Sequence, residues 1–319
     1  MFRSLRPAAM LVPGLVLACA TLIAGQEPKT GFADPVLGRW DLTVKGATAE
    51  YPSWVEIHLR KETQLQGRFV GQSGSSRNLT RVEYREGALE FGVAPQYEKQ
   101  QTDLVFTGRL TGDRLEGTTK APDGTSISWT GVRAPALLRD AAPTWGAAID
   151  LFDGTSTTGW RQRGSQAPCW KVEGGALMNS PKCVDIISER TFSDFKLHAE
   201  FSYPPGSNSG IYLRGRYEVQ INDDAGRVTD SLRMGGVYGF LRPYADAALK
   251  PGQPQSYDIT LIGRRITVGL NGKTIIDNEI IPGITGGALD SNEGEPGPIL
   301  LQGDHGPVSF RKIVITPAS

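Results

Sequence analysis

The chain is short of helical periodicity, of net charge, and of the residues from which metal frameworks are built. Nowhere between Leu37 and Pro317 do apolar residues recur with a helical period, which excludes a bundle and turns attention to strands. Its 34 basic residues are matched by 34 acidic ones, so no bulk field draws it to nucleic acid or to an anionic membrane, and an uncharged partner is expected. With three cysteines and three histidines, none of the histidines near a cysteine in sequence, no cysteine–histidine metal site can be drawn. What is plentiful is glycine (39) and proline (21), without a repeat period, which suits many short strands joined by turns. At 319 residues, two domains with separate cores are expected.

Residues 1–25 carry Arg3 and Arg6, then an apolar run from Ala8 to Ala24 broken by Pro13 and Gly14. This reads as a secretory signal peptide, because a membrane anchor needs roughly 20 uninterrupted apolar residues. Ala18-Cys19-Ala20 offers a small-x-small cleavage site, while Val16-Leu17-Ala18-Cys19 loosely matches a lipobox, so export to the periplasm or beyond is expected, with lipid anchoring through Cys19 as the alternative. The mature chain then keeps Cys169 and Cys183, a natural disulfide pair in an oxidising compartment, with free thiols the other reading. Closing a loop of about fifteen residues would stabilise the fold by about 3 kcal/mol.

From residue 36 to 134 the sequence breaks into eight alternating runs, from RWDLTV to SISWTGVR, separated by turn signals such as Pro122-Asp123-Gly124. The pattern predicts an up-and-down antiparallel barrel or a small sandwich. The opening Gly38-Arg39-Trp40-Asp41 and the meander resemble a lipocalin-like barrel; a ligand pocket and a plain docking module both stay open. Residues 135–147 lose the alternation and gather Pro and Ala, as a linker does. Residues 148–317 again read as strands, with Asn271-Gly272 as the strongest hairpin turn. The fold class is therefore all-β, a small barrel or sandwich followed by a two-sheet antiparallel sandwich.

The most informative stretch is Asn208 to Gln220, NSGIYLRGRYEVQ. Ile211, Leu213, Tyr217 and Val219 share one parity, while Tyr212, Arg214, Glu218 and Gln220 share the other. Successive side chains of a strand point to opposite faces, so one face is oily and the other carries the chemistry. Phe195 to Ser202 splits in the same way and puts His198 and Glu200 on its polar face.

LFDGTSTTGW (residues 151–160), the NSGIYLRGRYEVQI motif and GPILLQGDHGPVSFRKIVI (residues 297–315) together resemble the 3-keto-disaccharide hydrolase family, secreted bacterial domains with a concanavalin-like jelly roll. The resemblance covers residues 150–317, with Tyr257-Asp258 standing where the family usually has Trp-Asn. It implies cleavage of a glycosidic bond in a sugar already oxidised to a ketone at C3. Such a ketone acidifies the C2 proton, so a base can form an enolate that expels the substituent on C1, and water adding to the unsaturated sugar completes net hydrolysis. Elimination followed by hydration and direct hydrolysis are both compatible with the resemblance.

The site then needs a base, an acid and groups around the enolate oxygen. Glu218 is the first candidate carboxylate and Glu200, at an acidic position usual in the family, its partner; two neighbouring carboxyls would leave one protonated as an acid. His305, in the Gly303-Asp304-His305-Gly306 motif, titrates near neutrality, and Arg214 would stabilise oxygen charge. Asn208, Gln220, Gln302 and Asp304 offer partners for hydroxyls, and Tyr212, Tyr238 and Tyr244 offer faces for a sugar ring. His58 and His198 receive no role. No cofactor is certain, and a divalent ion held by Glu200, Glu218, Asp304 and His305 stays open. The expected partners are an oligosaccharide or glycoside and an envelope oxidoreductase that supplies the ketone, with no nucleic acid. The runner-up is a noncatalytic, lectin-like carbohydrate-binding module of the envelope, and a third reading is an envelope interaction protein.

Overall fold

Alternating short runs can bury their apolar parity only by closing a sheet on itself or by packing two sheets face to face, and this chain does both. The computed structural model describes residues 35–46, 49–61 and 63–318; the expected leader and Cys19 lie outside them. All eight runs of the first region become strands, from Gly38–Lys45 to Ser126–Arg133, each antiparallel to the next. The last strand pairs with the first, Trp40 opposite Arg133, so the sheet is a closed barrel. Its interior is filled by Trp40, Leu42, Phe69, Phe91, Phe106 and Trp129.

The second region is a sandwich. A five-stranded sheet runs in the order Trp160–Gln162, Ile186–Phe192, Gly297–Leu301, Asn208–Leu213, Tyr217–Asn222. An eight-stranded sheet runs Trp170–Glu173, Ala176–Asn179, Ser309–Pro317, Phe195–Ser202, Gln255–Ile262, Arg265–Leu270, Lys273–Ile280, with Ile149–Phe152 added beside Ser309–Pro317. Asn271 and Gly272 make the expected turn, both at positive φ (52° and 78°). The apolar parities of both sheets, including Leu197, Phe201, Ile211, Tyr217 and Val219, meet in one core. Each sheet therefore keeps an outer face for its polar parity.

Barrel and sandwich belong to one compact unit, Val36–Ser319. Trp54 and Val70 of the barrel are part of the sandwich core cluster, and Trp54 meets Phe240 edge to face at 5.5 Å. Truncating so large a buried ring to alanine costs about 3–5 kcal/mol. Polar contacts accompany it: the Ser291 hydroxyl donates to the Leu42 carbonyl, and the Arg39 guanidinium to the Pro282 carbonyl at 3.1 Å. Asp41 of the barrel is buried beside Glu293, which pairs with Arg264. Burial and the neighbouring Glu293 push the Asp41 carboxyl up to about 9, so at neutral pH it holds its proton. Residues 134–147 are pinned along the sandwich, for example by a two-pronged ion pair from Arg139 to Asp194 (2.6 and 3.2 Å).

Candidate functional site

The hairpin Asn208–Leu213 and Tyr217–Asn222 forms the end of the five-stranded sheet, and its register sets Tyr212 opposite Glu218 and Gly210 opposite Gln220. All four lie on the outer face, since the opposite parity fills the core. A cavity of about 270 Å³ opens on this face. It is lined by Glu218, His305, Asp304, Asn208, Tyr212, Gln220, Tyr238 and Gln302, eight of the residues singled out from sequence. Tyr238 arrives because Gly235–Tyr238 runs along the open edge of the hairpin, with Tyr238 N–H donating to the Glu218 carbonyl at 3.0 Å and Gln220 N–H to the Gly236 carbonyl at 3.0 Å.

Two of the expected catalytic residues are elsewhere. Glu200 lies on the outer face of the eight-stranded sheet, with the whole core between it and Glu218; there it contacts His198 at 3.4 Å, while His198 pairs more closely with Asp258 at 2.8 Å. Parity told which residues share a face within a strand, and a sandwich has two such faces. Arg214 leaves the pattern because the strand ends at Leu213 and Arg214 turns at φ 53°. Its side chain is buried and donates to the Tyr217 hydroxyl (3.1 Å) and the Gly263 carbonyl (2.8 Å), a structural contact. Tyr257 is likewise in the core, donating to the Gln220 carbonyl beneath the site, and Tyr244 is exposed beside Glu279. With Glu200 on the far face, the four ligands considered for an ion do not converge, and among the described residues no three His, Cys, Asp or Glu side chains cluster for a metal.

The cavity has members that the sequence reading missed. Arg163 and Asp185 sit on its wall, 3.2 Å apart. They follow and precede strands paired Gln162 to Ile186, so the register itself brings them together. Cys169 and Cys183 are bonded, and this link closes the loop between the two, just before Asp185. Gly286 and Gly287 form another side, and Ser73, Gly74 and Tyr97 come from the barrel. The His305 loop is held by Asn179, whose buried amide donates to the carbonyls of Gly303 and Gly306, both at 3.0 Å, and accepts from Val308 N–H at 2.7 Å.

Glu218 is the centre of the electrostatics. It is buried, and Gly210 makes room for it, since a Cβ there would meet Glu218 Oε1 at 2.5 Å. Burial pushes its carboxyl from the ordinary 4.5 up to about 8, against the lowering effects of the Tyr212 hydroxyl and His305. The hydrogen bonds agree with a protonated acid. Tyr212 Oη lies 2.9 Å from Glu218 Oε2 and 2.9 Å from the Gly286 carbonyl, yet has one proton for the two acceptors. A protonated Glu218 that donates to Tyr212, which donates in turn to Gly286, satisfies the whole chain. Burial and Glu218 raise the Tyr212 hydroxyl well above its usual range, so it stays neutral. The hydrogen bond from His305 Nδ1 to Asp304 raises the imidazole and lowers the carboxyl. Burial raises Asp185. Two further groups lack partners: the side-chain oxygens of Gln220 and Gln302 are buried, have no donor among the described residues, and belong to residues that line the cavity. A buried acceptor without a donor is costly.

The profile of the 3-keto-alpha-glucoside-1,2-lyase-like domain matches residues 147–316. No curated protein matches the chain. Among solved structures, a candidate glycosyl hydrolase from Parabacteroides distasonis ATCC 8503 is 30% identical over 56% of this chain and 92% of its own, with a TM-score of 0.48. Another candidate glycosyl hydrolase from the same organism is 25% identical over 53% of this chain and 98% of its own, with a TM-score of 0.43. The carbohydrate-binding module CBM66 of Bacillus subtilis is 14% identical over 50% of this chain and 96% of its own, with a TM-score of 0.35.

Proposed function

Because the chain belongs, through residues 147–316, to the family of 3-keto-alpha-glucoside-1,2-lyase-like domains, we propose that it is a carbohydrate-active enzyme that cleaves the glycosidic bond of 3-keto-glycosides by elimination across C1 and C2, followed by hydration. The observation that carries this reading is a buried carboxyl, Glu218, that holds its proton to about pH 8 in the same cavity as the His305–Asp304 pair. A module that only binds sugar needs aromatic faces and amides; a buried acid with so displaced a pKa beside an oriented imidazole is the signature of proton transfer.

The steps divide among these residues. Asp304 accepts from Nδ1 of His305 and so leaves Nε2 as the basic nitrogen, which takes the proton from C2 of the keto sugar. The electron pair forms the enolate; as the C1–O bond breaks, Glu218 gives its proton to the leaving oxygen, and the alcohol departs from a 1,2-unsaturated 3-keto sugar. Arg163 is the cation on the cavity wall and stabilises the negative charge on the enolate oxygen. Gln220, Gln302, Asn208 and Tyr238 supply the polar lining on which the sugar hydroxyls would rest. In the hydration, Glu218 takes a proton from water as its oxygen adds to C1, and the His305 imidazolium returns a proton to C2, which gives the free keto sugar and restores both groups.

The leader expected at residues 1–25 would place this activity outside the cytoplasm, with the ketone introduced by a separate oxidoreductase. The test is to incubate the protein with a 3-keto-disaccharide and with the same disaccharide unoxidised, and to follow monosaccharide release. Release from the keto sugar alone is expected. Measurable binding of both without release from either would establish the lectin-like reading instead.

A further inference from the structure

The barrel has a cavity of its own, about 280 Å³, at the end where its strands turn toward the sandwich. The two cavities share Ser73 and Tyr97 as walls. The sandwich cavity is built of carboxyls, amides and an imidazole; the barrel cavity sets Tyr51, Leu104 and Ile127 beside the charged Glu98, Lys99 and Lys120, above the buried rings of Phe69 and Phe106, 5.0 Å apart. It is shallow, because Phe106 packs on Trp129 at 6.1 Å and the barrel interior beyond is filled. A long acyl chain has nowhere to go, while a flat ring can lie against Tyr51 and Tyr97, which reach the surface of the cavity. Each cavity alone falls just short of the roughly 300–1,000 Å³ of a small-molecule site, and the two together fall within it.

The alignment of the two cavities is fixed by backbone. Gly287 N–H donates to the Gln72 carbonyl at 2.9 Å, and at Gly286 the barrel loop comes so near that a Cβ would meet the Gly74 carbonyl oxygen at 2.2 Å. Tyr97, which lines both cavities, is 64% exposed, a large ring left open to solvent at their junction. Such a ring is a platform for whatever lies across the two spaces.

We propose that the barrel mouth is the aglycone site of the enzyme and that it selects aryl aglycones, with the scissile bond lying over Tyr97. This rests on reading the sandwich cavity as the place of the keto sugar. The barrel is then a specificity element, and the first region is joined to the sandwich because one substrate spans both.

The test uses unoxidised glycosides, which the reaction does not consume. Calorimetric titration of the whole protein with 4-nitrophenyl glucoside and with methyl glucoside is expected to show the aryl compound binding about tenfold tighter or more, as burial of a ring against Tyr51 and Tyr97 requires. Ile127→Trp and, separately, Leu104→Trp fill the barrel mouth and bring the ratio of the two affinities toward one. Equal affinities in the unaltered protein overturn the proposal, as does an aryl preference that survives both substitutions. Turnover of 4-nitrophenyl 3-keto-glucoside separates this from the reading it rests on. No turnover with the aryl preference intact removes the keto-glycoside reaction, while turnover without the preference removes the barrel site.

Discussion

The two outer faces of the sandwich carry almost the same residues and have different fates. On the five-stranded sheet, Glu218 shares a cavity with His305; on the eight-stranded sheet, Glu200 contacts His198. Glu218 is 3% exposed, walled by loops and by the barrel, and its carboxyl is displaced to about 8. The side chains of Glu200, His198 and Asp258 are 46%, 35% and 59% exposed. What distinguishes the two glutamates is cover; the His305 and Asp304 side chains, 52% and 57% exposed, are as open as His198 and Asp258. A carboxylate beside an imidazole is ordinary surface chemistry until something excludes water from it, and here the barrel loop at Ser73–Gly74, Tyr97 and the Gly286–Gly287 segment do so.

The comparison can be broken by paired substitutions. The largest contrast is expected between Glu218→Gln and Glu200→Gln: the first lowers kcat on a 3-keto-glycoside by about a thousandfold, with binding kept within about tenfold, and the second changes kcat less than about twofold. Comparable losses from both would show that burial does not separate the faces. Next in size, His305→Ala costs about a hundredfold in kcat/KM, whereas His198→Ala leaves it near that of the unaltered protein. Activity should follow a bell-shaped pH profile. It rises as His305, held above its usual range by Asp304, loses its proton, and falls near pH 8 as Glu218 loses the proton it must donate. His305→Ala removes the rising limb.

A smaller effect is expected at the amides. Gln220→Ala or Gln302→Ala should raise KM by about fivefold each, the worth of one hydrogen bond, with kcat changed much less; a drop in kcat at constant KM would take them out of ground-state binding. The smallest effect is on stability. Folding raises the pKa of Glu218 from 4.5 to about 8 and that of Asp41 from 3.8 to about 9. Between those limits the folded protein holds protons that the unfolded chain releases, so the stabilisation is complete at low pH and is lost as pH climbs through about 8 and 9. Glu218→Gln should flatten the first part of that fall and raise the melting temperature at pH 8 by several degrees. A variant that melts with the same pH dependence as the unaltered protein would mean Glu218 is ionised at rest.

Much of this architecture was legible beforehand, and the gaps have physical causes. The eight barrel strands, the sandwich strands from Trp170 onward and the Asn271-Gly272 turn are local signals, carried by a period of two and by turn residues. The short strands Ile149–Phe152 and Trp160–Gln162 are too brief to show a period. The hairpin gave Tyr212, Glu218 and Gln220 by parity, and the glycine-flanked His305 lies beside them. Parity could not choose between two outer faces, which is why Glu200 was placed with Glu218. It also stops where the strand stops, which is why Arg214 was assigned oxygen chemistry and Arg163 was overlooked. Arg163 and Asp185 become neighbours only through the Gln162 to Ile186 register, and Tyr97 only through the docking of barrel on sandwich.

The central claim is that His305, in the cavity it shares with Glu218, removes the C2 proton. Carrying out the reaction in deuterium oxide and examining the released keto sugar by mass spectrometry and NMR tests it directly, with a control lacking enzyme to account for spontaneous exchange. The account predicts that the product carries one deuteron at C2 in excess of the control, and that His305→Ala abolishes both the release and the label. Sugar released at full rate with its original C2 hydrogen would contradict it and establish direct hydrolysis.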